Sequence, residues 1–243
     1  MALDVILALT EELDNYTPCI FQDGNHKQEE NFSRMYHLVG KIVDIAQKKF
    51  NHTQGKKVLE ALRFAAMHHK QVYREDKLTP YLLHVLEVTC MLIDQQVYDY
   101  KCLVAAIIHD VVEDTEATLK EVRHLFGTSI SRIVDLLTKH PNFVRRKFYW
   151  RRIKNEKNMH ILWRVIVIKF ADRIHNLMTL KAISKEKRLK KIQETEREFP
   201  ELYKVLIKTM RKLRKENIFT VHRYTHLPFH LNNRLFYEMG RYI

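Results

Sequence analysis

Apolar residues recur at helical spacing along most of the chain. Two sets each fall on one face of a helix: Leu38, Ile42, Ile45 and Ala46, and then Leu59, Leu62, Ala65 and Ala66. The apolar run from Val165 to Ile168 by itself fits a strand. It continues into KFADRIHNLMTL without a break, and that length favours a buried helix. The pattern predicts an all-α fold of about ten helices with no confident β-strand.

Capping residues and helix breakers predict where several helices begin and end. Thr79, followed by Pro80, is expected to cap a helix that continues to Ile93. Asp99 is expected to cap the next helix, which runs to about Glu113. The remaining predicted boundaries are a capping box at Thr118 and Glu121, a stop at Gly127, a helix from Thr128 to Thr138, a long helix from Leu162 to about Leu180, and two or three helices after Ser184.

Length and composition favour one large domain of long helices. The chain has 243 residues, 46% of them hydrophobic, with 5 glycines and 5 prolines. The weakest structural signals lie in PCIFQDGNHKQEEN, residues 18–31. We therefore expect an N-terminal helix and loop over residues 1–31, a core over residues 32–182 and C-terminal helices packed on that core over residues 183–243. Pro200 is expected to break the basic amphipathic segment in the C-terminal part.

Cysteine usage, hydropathy and net charge limit the class of protein. Cys19, Cys90 and Cys102 match neither a zinc motif nor a disulfide framework, so we expect reduced thiols in a soluble, cytoplasmic protein. The N-terminus lacks the features of a signal peptide, and no stretch approaches the roughly 18 apolar residues of a membrane span. The net charge of +13 indicates an acidic partner, such as nucleic acid, anionic lipid or a phosphate-rich small molecule, or else a solvated basic surface.

The stretch IIHDVVEDT places four ionisable groups at the end of an apolar helix: His109, Asp110, Glu113 and Asp114. On a continuous helix, residues four apart share a face, so His109 would lie beside Glu113 and Asp110 beside Asp114. Carboxylates at a helix C-terminus face the negative end of the helix dipole, and the preceding apolar residues imply burial. A bound divalent metal would compensate this charge, and imidazole with carboxylate suits Mn, Fe, Zn or Co.

Two further residues are candidate ligands, because a His-Asp pair supplies only two. His84 lies in the apolar helix TPYLLHVLEV, where a hydrogen-bonded core histidine is the alternative to a ligand. Asp172 lies in VIVIKFADRIHNL, where burial without a partner would be costly. Asp172, Asn176 and Thr179 share one helical edge, an arrangement that suits a site extending from an ion to a substrate.

These motifs resemble a known family. H…HD…D is the metal-binding pattern of the HD hydrolase superfamily, and four longer segments resemble the hydrolase domain of RelA/SpoT homologues: QVYREDKLTPYLLH, IIHDVVEDT, LFGTSISRIVDLLTKH and WRVIVIKFADRIHNLMTL. The resemblance covers roughly residues 59–180. Its most specific part is HD-x-x-E-D-T followed by K-x-A-D-R-x-H-N-x-x-T-L. Members of that family remove the 3′-pyrophosphate from (p)ppGpp with Mn²⁺.

The resemblance implies an HD-domain helical bundle and an Mn²⁺-dependent guanosine-3′,5′-bis(diphosphate) 3′-pyrophosphohydrolase, which releases GDP or GTP and pyrophosphate. The residues it implies form three groups: one Mn²⁺ held by His84, His109, Asp110 and Asp172, water activation by Glu113 and Asp114, and nucleotide contacts from Asn176 and Thr179. The expected partner is ppGpp or pppGpp rather than a membrane or nucleic acid, and a homo-oligomer is compatible with this. Because residues 181–243 resemble no synthetase or regulatory domain, the chain looks like a hydrolase-only member, a small alarmone hydrolase.

The sequence departs from the family pattern before its first histidine, where R-K-S-G-E-P-Y is usual. Counting back from His84 with the longer loop of the small stand-alone members, the base-stacking arginine falls at Tyr73, and Arg74 takes the place of the lysine. Tyr73 is able to stack on a base but is not a cation. Tyr73 and Arg74 are therefore the expected substrate contacts in this segment.

Other functions stay open at this point. The same fold would also suit another nucleotide, for example removal of the 2′-phosphate of NADPH, or the chain would be a basic RNA-binding or antitoxin-like module with a vestigial metal site. The intact set of four candidate ligands argues against a vestigial site. The basic aromatic stretch RRKFYWRRIKNEK, residues 145–157, would contact substrate phosphate, face solvent or bind RNA. The C-terminal segment would cover the core or form an oligomer contact, with regulation or nucleic-acid contact as the alternative.

Overall fold

The computed structural model describes residues 26–139, 146–216 and 226–242, together with Glu11 and Tyr224. The extension expected over residues 1–31 therefore lies almost wholly outside the described residues. Within the described ranges the all-α prediction is confirmed: no strand forms, and one isolated bridge joins the backbones of Tyr73 and Pro80. None of the described helices is both long and apolar enough to cross a membrane.

Eleven α-helices and one 3-10 turn make up the described part of the chain. In chain order they are α1 (His26–Lys49), α2 (His52–His68), α3 (Tyr81–Asp94), α4 (Tyr100–Ile107), α5 (Val111–Asp114), α6 (Leu119–Phe126), α7 (Thr128–Leu137), α8 (Arg146–Lys154), α9 (Met159–Met178), the 3-10 turn Leu180–Ala182, α10 (Lys185–Lys215) and α11 (Leu227–Gly240). The predicted number of about ten helices is close to this.

Helix α9 is the centre of the bundle. It packs against α3, α4, α7, α8, α10 and α11. Its apolar residues cover nearly every side, as expected for a helix that neighbours surround, and Trp163 and Phe170 are among the largest fully buried side chains. Val165 to Ile168 lie within this helix, so the choice of helix over strand is confirmed. Any polar side chain on α9 that faces a neighbouring helix is consequently buried.

Three predicted helix boundaries are confirmed by their capping contacts. The Asp99 side chain accepts a hydrogen bond from the Cys102 N–H at the start of α4. Thr118 and Glu121 form both hydrogen bonds of a capping box at the start of α6. Gly127 ends α6 with φ +86°, a conformation that side chains with a Cβ rarely adopt.

The predicted start of α3 was wrong by one residue and in its capping group. The helix begins at Tyr81, Pro80 occupies the cap position, and Thr79 caps nothing. The accepting side chain is Asp76, which takes hydrogen bonds from the N–H groups of Leu78 and Thr79 and from the Thr79 hydroxyl. This turn folds residues 71–80 back on themselves, because carboxylates readily bond backbone N–H groups two and three residues ahead.

The predicted continuous helix from Asp99 to Glu113 was also wrong. Helix α4 ends at Ile107, and four-residue α5 begins at Val111 after a turn. His109 Nδ1–H donates to the Ala106 carbonyl at 2.8 Å, and in an unbroken helix that carbonyl would accept the Asp110 N–H. The side chain thus competes with the backbone for one acceptor. As a result of this competition, His109 and Asp110 lie in the turn between α4 and α5.

Pro200 does not break the C-terminal segment, contrary to the prediction. Helix α10 continues from Lys185 to Lys215 with Pro200 inside it. Proline removes one hydrogen bond to the preceding turn, but Phe199 and Leu202 on either side are completely buried. Tertiary packing against α9 therefore outweighs the local cost.

Candidate active site

Four predicted ligands from three separate chain segments lie together. His84 from α3, His109 from the α4–α5 turn and Asp172 from α9 each offer a ligand atom, and these atoms lie within 4.8 Å of one another. His84 Nε2 is 3.4 Å from Asp172 Oδ1. Asp110 Oδ2 completes the group at 3.1 Å from His109 Nε2 and 3.6 Å from His84 Nε2. These four residues form the candidate metal centre.

The donor atoms fit a divalent cation. The Nε2 atoms of His84 and His109 are buried and have no hydrogen-bond partner, and each of these residues is only 1% exposed. Leaving such nitrogens unsatisfied costs free energy, whereas a cation would use both lone pairs. Without an ion, burial tends to lower the pKa of His109, but the neighbouring Asp110 outweighs it and raises the pKa to about 9. In the neutral form that a cation requires, the Nδ1–H donated to the Ala106 carbonyl would leave the Nε2 lone pair facing the cluster. Two imidazoles with carboxylates suit a borderline metal ion.

Tyr81 orients Asp110 within the candidate metal centre. Its hydroxyl donates to Asp110 Oδ2 at 2.7 Å, and its ring stacks on the buried ring of His69 with centroids 5.0 Å apart. Burial tends to raise the pKa of Asp110, but the adjacent His109 outweighs it, so the pKa lies well below its ordinary value. Burial, and then the charge of Asp110, raises the pKa of Tyr81. Asp110 is therefore an ionised acceptor and Tyr81 a neutral donor.

Asp172 is held by two neighbours on its own helix. Lys169 Nζ lies 2.9 Å from Asp172 Oδ2, and the Asn176 amide nitrogen donates to Asp172 Oδ1. Burial opposes ionisation of Asp172, but the ammonium of Lys169 and the other contacts keep its pKa well below the ordinary value. Lys169 was not predicted, although a lysine three residues before a buried aspartate is a usable sequence signal.

Three further residues behind His84 were missed from the sequence. His84 Nδ1 lies 2.7 Å from His175 Nδ1, His175 Nε2 hydrogen-bonds to Glu87, and Glu87 forms an ion pair with Arg34. Burial lowers the pKa of His175 to about 4 despite the neighbouring Glu87. These residues come from α1, α3 and α9. Their sequence signal was weak, because nothing local indicates that Glu87 and His175 meet.

Glu113 and Asp114 have different surroundings. Glu113 faces Lys139, whose backbone N–H and Nζ lie 2.9 and 2.7 Å from the two carboxylate oxygens. Because the helix is interrupted between Ile107 and Val111, the four-residue helical spacing that predicted Glu113 beside His109 does not apply. Asp114 is an exposed residue, but its carboxyl is partly desolvated; this, followed by the charge of Asp110, raises its pKa. The Asp114 carboxyl is therefore coupled electrostatically to Asp110 of the candidate metal centre.

A pocket with a volume of about 510 Å³ opens beside the candidate metal centre, and His84 forms part of its wall. All four predicted substrate contacts line it: Tyr73, Arg74, Asn176 and Thr179. Arg74 donates to Asn176 Oδ1 at 2.9 Å, and its guanidinium lies over the Tyr81 ring, 5.6 Å from the centroid. Asn176 thereby joins the pocket to Asp172.

Lys191 from α10 also lines this pocket and was missed, because it lies beyond the segments that carry the resemblance. The described part of the chain offers its ammonium no hydrogen bond or ion pair. Substrate contact was one of three alternatives for the basic aromatic stretch, and the described residues of that stretch do not line this pocket. Trp150, Arg151 and Lys154 line another pocket beside α10, while Arg145 lies outside the described residues.

A helical bundle that gathers a histidine, a His-Asp pair and a distant aspartate at one point defines the HD class of metal-site proteins. A family model described as HD domain matches residues 61–211. The chain belongs to the HD domain family.

Individual relatives show a more specific similarity within this family. The chain is 37% identical over 120 residues to the bifunctional (p)ppGpp synthase/hydrolase SpoT of Escherichia coli (strain K12), covering 48% of this chain and 17% of SpoT. It is 35% identical over 126 residues to the guanosine-3′,5′-bis(diphosphate) 3′-pyrophosphohydrolase MESH1 of Drosophila melanogaster, covering 51% of this chain and 69% of MESH1. The resemblance to RelA/SpoT homologues is thereby confirmed.

A solved structure is also similar: a metazoan ortholog of SpoT, described as hydrolysing ppGpp. The identity is 30%, the coverage is 64% of this chain and 94% of that chain, and the TM-score is 0.48.

Proposed function

We propose that this chain hydrolyses (p)ppGpp, removing the 3′-pyrophosphate to give GDP or GTP and pyrophosphate. The main support for this proposal is that His84 belongs both to the candidate metal centre and to the pocket lined by Arg74 and Asn176. The activity named for SpoT and MESH1 supports this choice of substrate. A polyanionic nucleotide also suits a chain of net charge +13.

We further propose that the ion is a single Mn²⁺, held by His84, His109, Asp110 and Asp172. When bound, such an ion lowers the pKa of a water molecule and polarises a phosphoryl oxygen. Tyr81 keeps the Asp110 carboxylate oriented, and Lys169 and Asn176 do the same for Asp172. These contacts hold the donor atoms in place before an ion enters, which reduces the reorganisation that binding requires.

Asp114 and Glu113 are the proposed acid–base groups. A carboxylate with a raised pKa accepts a proton more readily at neutral pH, and Asp114 has this property. Glu113 lies one residue earlier on α5, with both oxygens engaged by Lys139. Its role would be to receive the proton or to hold the Lys139 ammonium toward negative charge on the leaving pyrophosphate.

The pocket supplies the substrate contacts in this proposal. Arg74 and Lys191 present positive charge to phosphoryl oxygens, and Asn176 and Thr179 offer an amide and a hydroxyl. Tyr73 would stack on the base. Asn176 hydrogen-bonds to Asp172 on one side and to Arg74 on the other. It therefore fixes the position of Arg74 relative to the candidate metal centre.

The test is pyrophosphate release from labelled ppGpp by the purified chain with Mn²⁺. Release should stop with EDTA and in Asp110→Ala, and should persist in Asp94→Ala, which removes an exposed aspartate paired with Lys41. Release of phosphate from NADPH, with ppGpp left intact, would replace the substrate but keep the reaction class. Tight RNA binding without hydrolysis of either nucleotide would overturn the proposal. The cytoplasmic location, the division into three segments and the oligomeric state stay predictions.

A further inference from the structure

We propose that His175 is a positioning residue which sets the tautomer of His84, so that the His84 Nε2 lone pair points into the candidate metal centre. The device is a directed chain of hydrogen bonds from Arg34 through Glu87 and His175 to His84. It rests on the metal site of the proposed function and adds residues outside the ligand set.

The contacts form a single line across three helices. Glu87 uses one carboxylate oxygen for Arg34 and the other for His175 Nε2. His175 Nδ1 then lies 2.7 Å from His84 Nδ1. The ring planes of His84 and His175 are tilted by 53° with their centroids 4.6 Å apart, so the two imidazoles do not stack flat. Each ring therefore contacts the next through one specific nitrogen.

The direction of these bonds follows from the carboxylate at one end. A carboxylate only accepts, so the His175 nitrogen that faces Glu87 must carry a proton. A neutral imidazole has one proton, which leaves His175 Nδ1 as an acceptor. His84 Nδ1 must then be the donor. Its second nitrogen, Nε2, is left with a free lone pair, and this is the buried atom that has no hydrogen-bond partner and faces His109 and Asp172.

The opposite order would block a cation. If His175 donated from Nδ1, a bare His175 nitrogen would face Glu87, and the His84 proton would lie on Nε2 inside the candidate metal centre. Burial favours one tautomer over the other, since the side chains of His84, His175 and Glu87 are 1%, 6% and 12% exposed. Water has little access to satisfy the wrong tautomer. Arg34, at 56% exposure, anchors the outer end by holding the carboxylate ionised.

Substitutions of His175 that retain one of its two polar contacts, or neither, distinguish this positioning role from simple packing. His175→Asn keeps an acceptor oxygen near the Nδ1 position but does not reach Glu87. His175→Gln reaches toward Glu87 but offers no acceptor at the Nδ1 position. His175→Phe keeps the ring volume and removes both. His160→Phe, at an exposed histidine of the same helix, is the matched control.

The experiment measures Mn²⁺ affinity of the full chain by titration, together with the histidine tautomers of the metal-free protein by long-range ¹H–¹⁵N NMR. We expect a roughly 10- to 100-fold loss of affinity in His175→Phe and His175→Gln, the range seen when partners of metal-ligating histidines are removed. His175→Asn and His160→Phe should stay within about threefold of the wild type, below that range. The wild-type His84 should carry its proton on Nδ1, and this preference should fade in His175→Phe.

Wild-type affinity in His175→Phe, or a wild-type His84 protonated on Nε2, overturns the inference and leaves the proposed hydrolase standing. Conversely, the expected affinities and tautomers without any ppGpp hydrolysis overturn the proposed function and leave the inference standing. Thermal melts of the metal-free variants identify any that fail to fold. If His175→Phe is among them, the contrast between His175→Asn and His175→Gln decides.

Discussion

Lys169 and Asp172 form an ion pair in the interior of the bundle, one turn apart on α9. Lys169 Nζ lies 2.9 Å from Asp172 Oδ2, and the two side chains are 5% and 9% exposed. Asp172 is also a candidate metal ligand, so the same carboxylate is stabilised by a permanent cation and offered to a second one. Metal binding and the stability of the fold are therefore linked at this residue.

Lys169→Met should destabilise the metal-free protein by about 3–5 kcal/mol, because it leaves the buried charge of Asp172 without its cation. Saturating Mn²⁺ should recover part of that loss, since the metal supplies positive charge at the same carboxylate. Urea unfolding with EDTA and with Mn²⁺ measures both values. The exposed Lys120→Met is the control. An equal loss in the two conditions would show that Lys169 does not act through Asp172.

Tyr81→Phe should weaken Mn²⁺ binding by roughly 10- to 100-fold, because it removes the hydroxyl that orients Asp110. The ring contacts with His69 and Arg74 stay in place, so the fold should be retained. Metal titration and a thermal melt of the metal-free variant provide the measurement. Tyr237→Phe removes an exposed hydroxyl and should change neither. Unaltered metal affinity in Tyr81→Phe would contradict this account of Asp110.

Glu113→Gln should keep Mn²⁺ affinity and lower kcat for ppGpp by about 10²- to 10⁴-fold, as expected when an acid–base group is removed. Lys139→Met removes the ion pair but leaves the Glu113 carboxyl in place. The fold should be retained, because an exposed pair of this kind contributes only about 0–1 kcal/mol to stability. Steady-state kinetics on both variants, with the exposed Glu116→Gln as control, supply the test. Equal losses of kcat in Glu113→Gln and Lys139→Met would mean that Glu113 acts only by holding Lys139.

Asp76→Asn should destabilise the turn over residues 71–80 at neutral pH, and progressively less as the pH falls. Burial opposes ionisation of Asp76, yet the hydrogen bonds from Thr79 and Leu78 outweigh it, and its pKa lies below the ordinary 3.8. A depressed native pKa stabilises the fold above the unfolded pKa, and this contribution is lost as the pH falls toward the native value. The stability difference between Asp76→Asn and the wild type should therefore shrink between about pH 5 and pH 3. Urea unfolding across this range decides, and a constant difference would refute the role of the Asp76 charge.

Local signals explain what was predicted correctly. Asp99, Thr118 and Gly127 act within a few residues of their own positions, so capping rules apply to them without knowledge of the neighbours. The same holds for the long apolar period of α9. The candidate ligands stood out because ionisable residues in apolar helices require partners. The errors at Thr79, at the α4–α5 junction and at Pro200 arose where a side chain or a packed neighbour competed with local propensity.

Most helix positions, the candidate ligand set and the family resemblance could be predicted from the sequence, because each depends on residue types at short or motif-level spacing. The partners of those ligands became visible in the packed bundle. His84 meets His175 across 91 residues, and Tyr81 meets Asp110 across 29. A hydrogen bond joins atoms about 3 Å apart, so such pairs form only where packing brings distant residues to that distance. Periodicity shows which face of a helix is buried, but not which helix covers that face or at what register, and so these pairings depend on the packing of α3, α4 and α9.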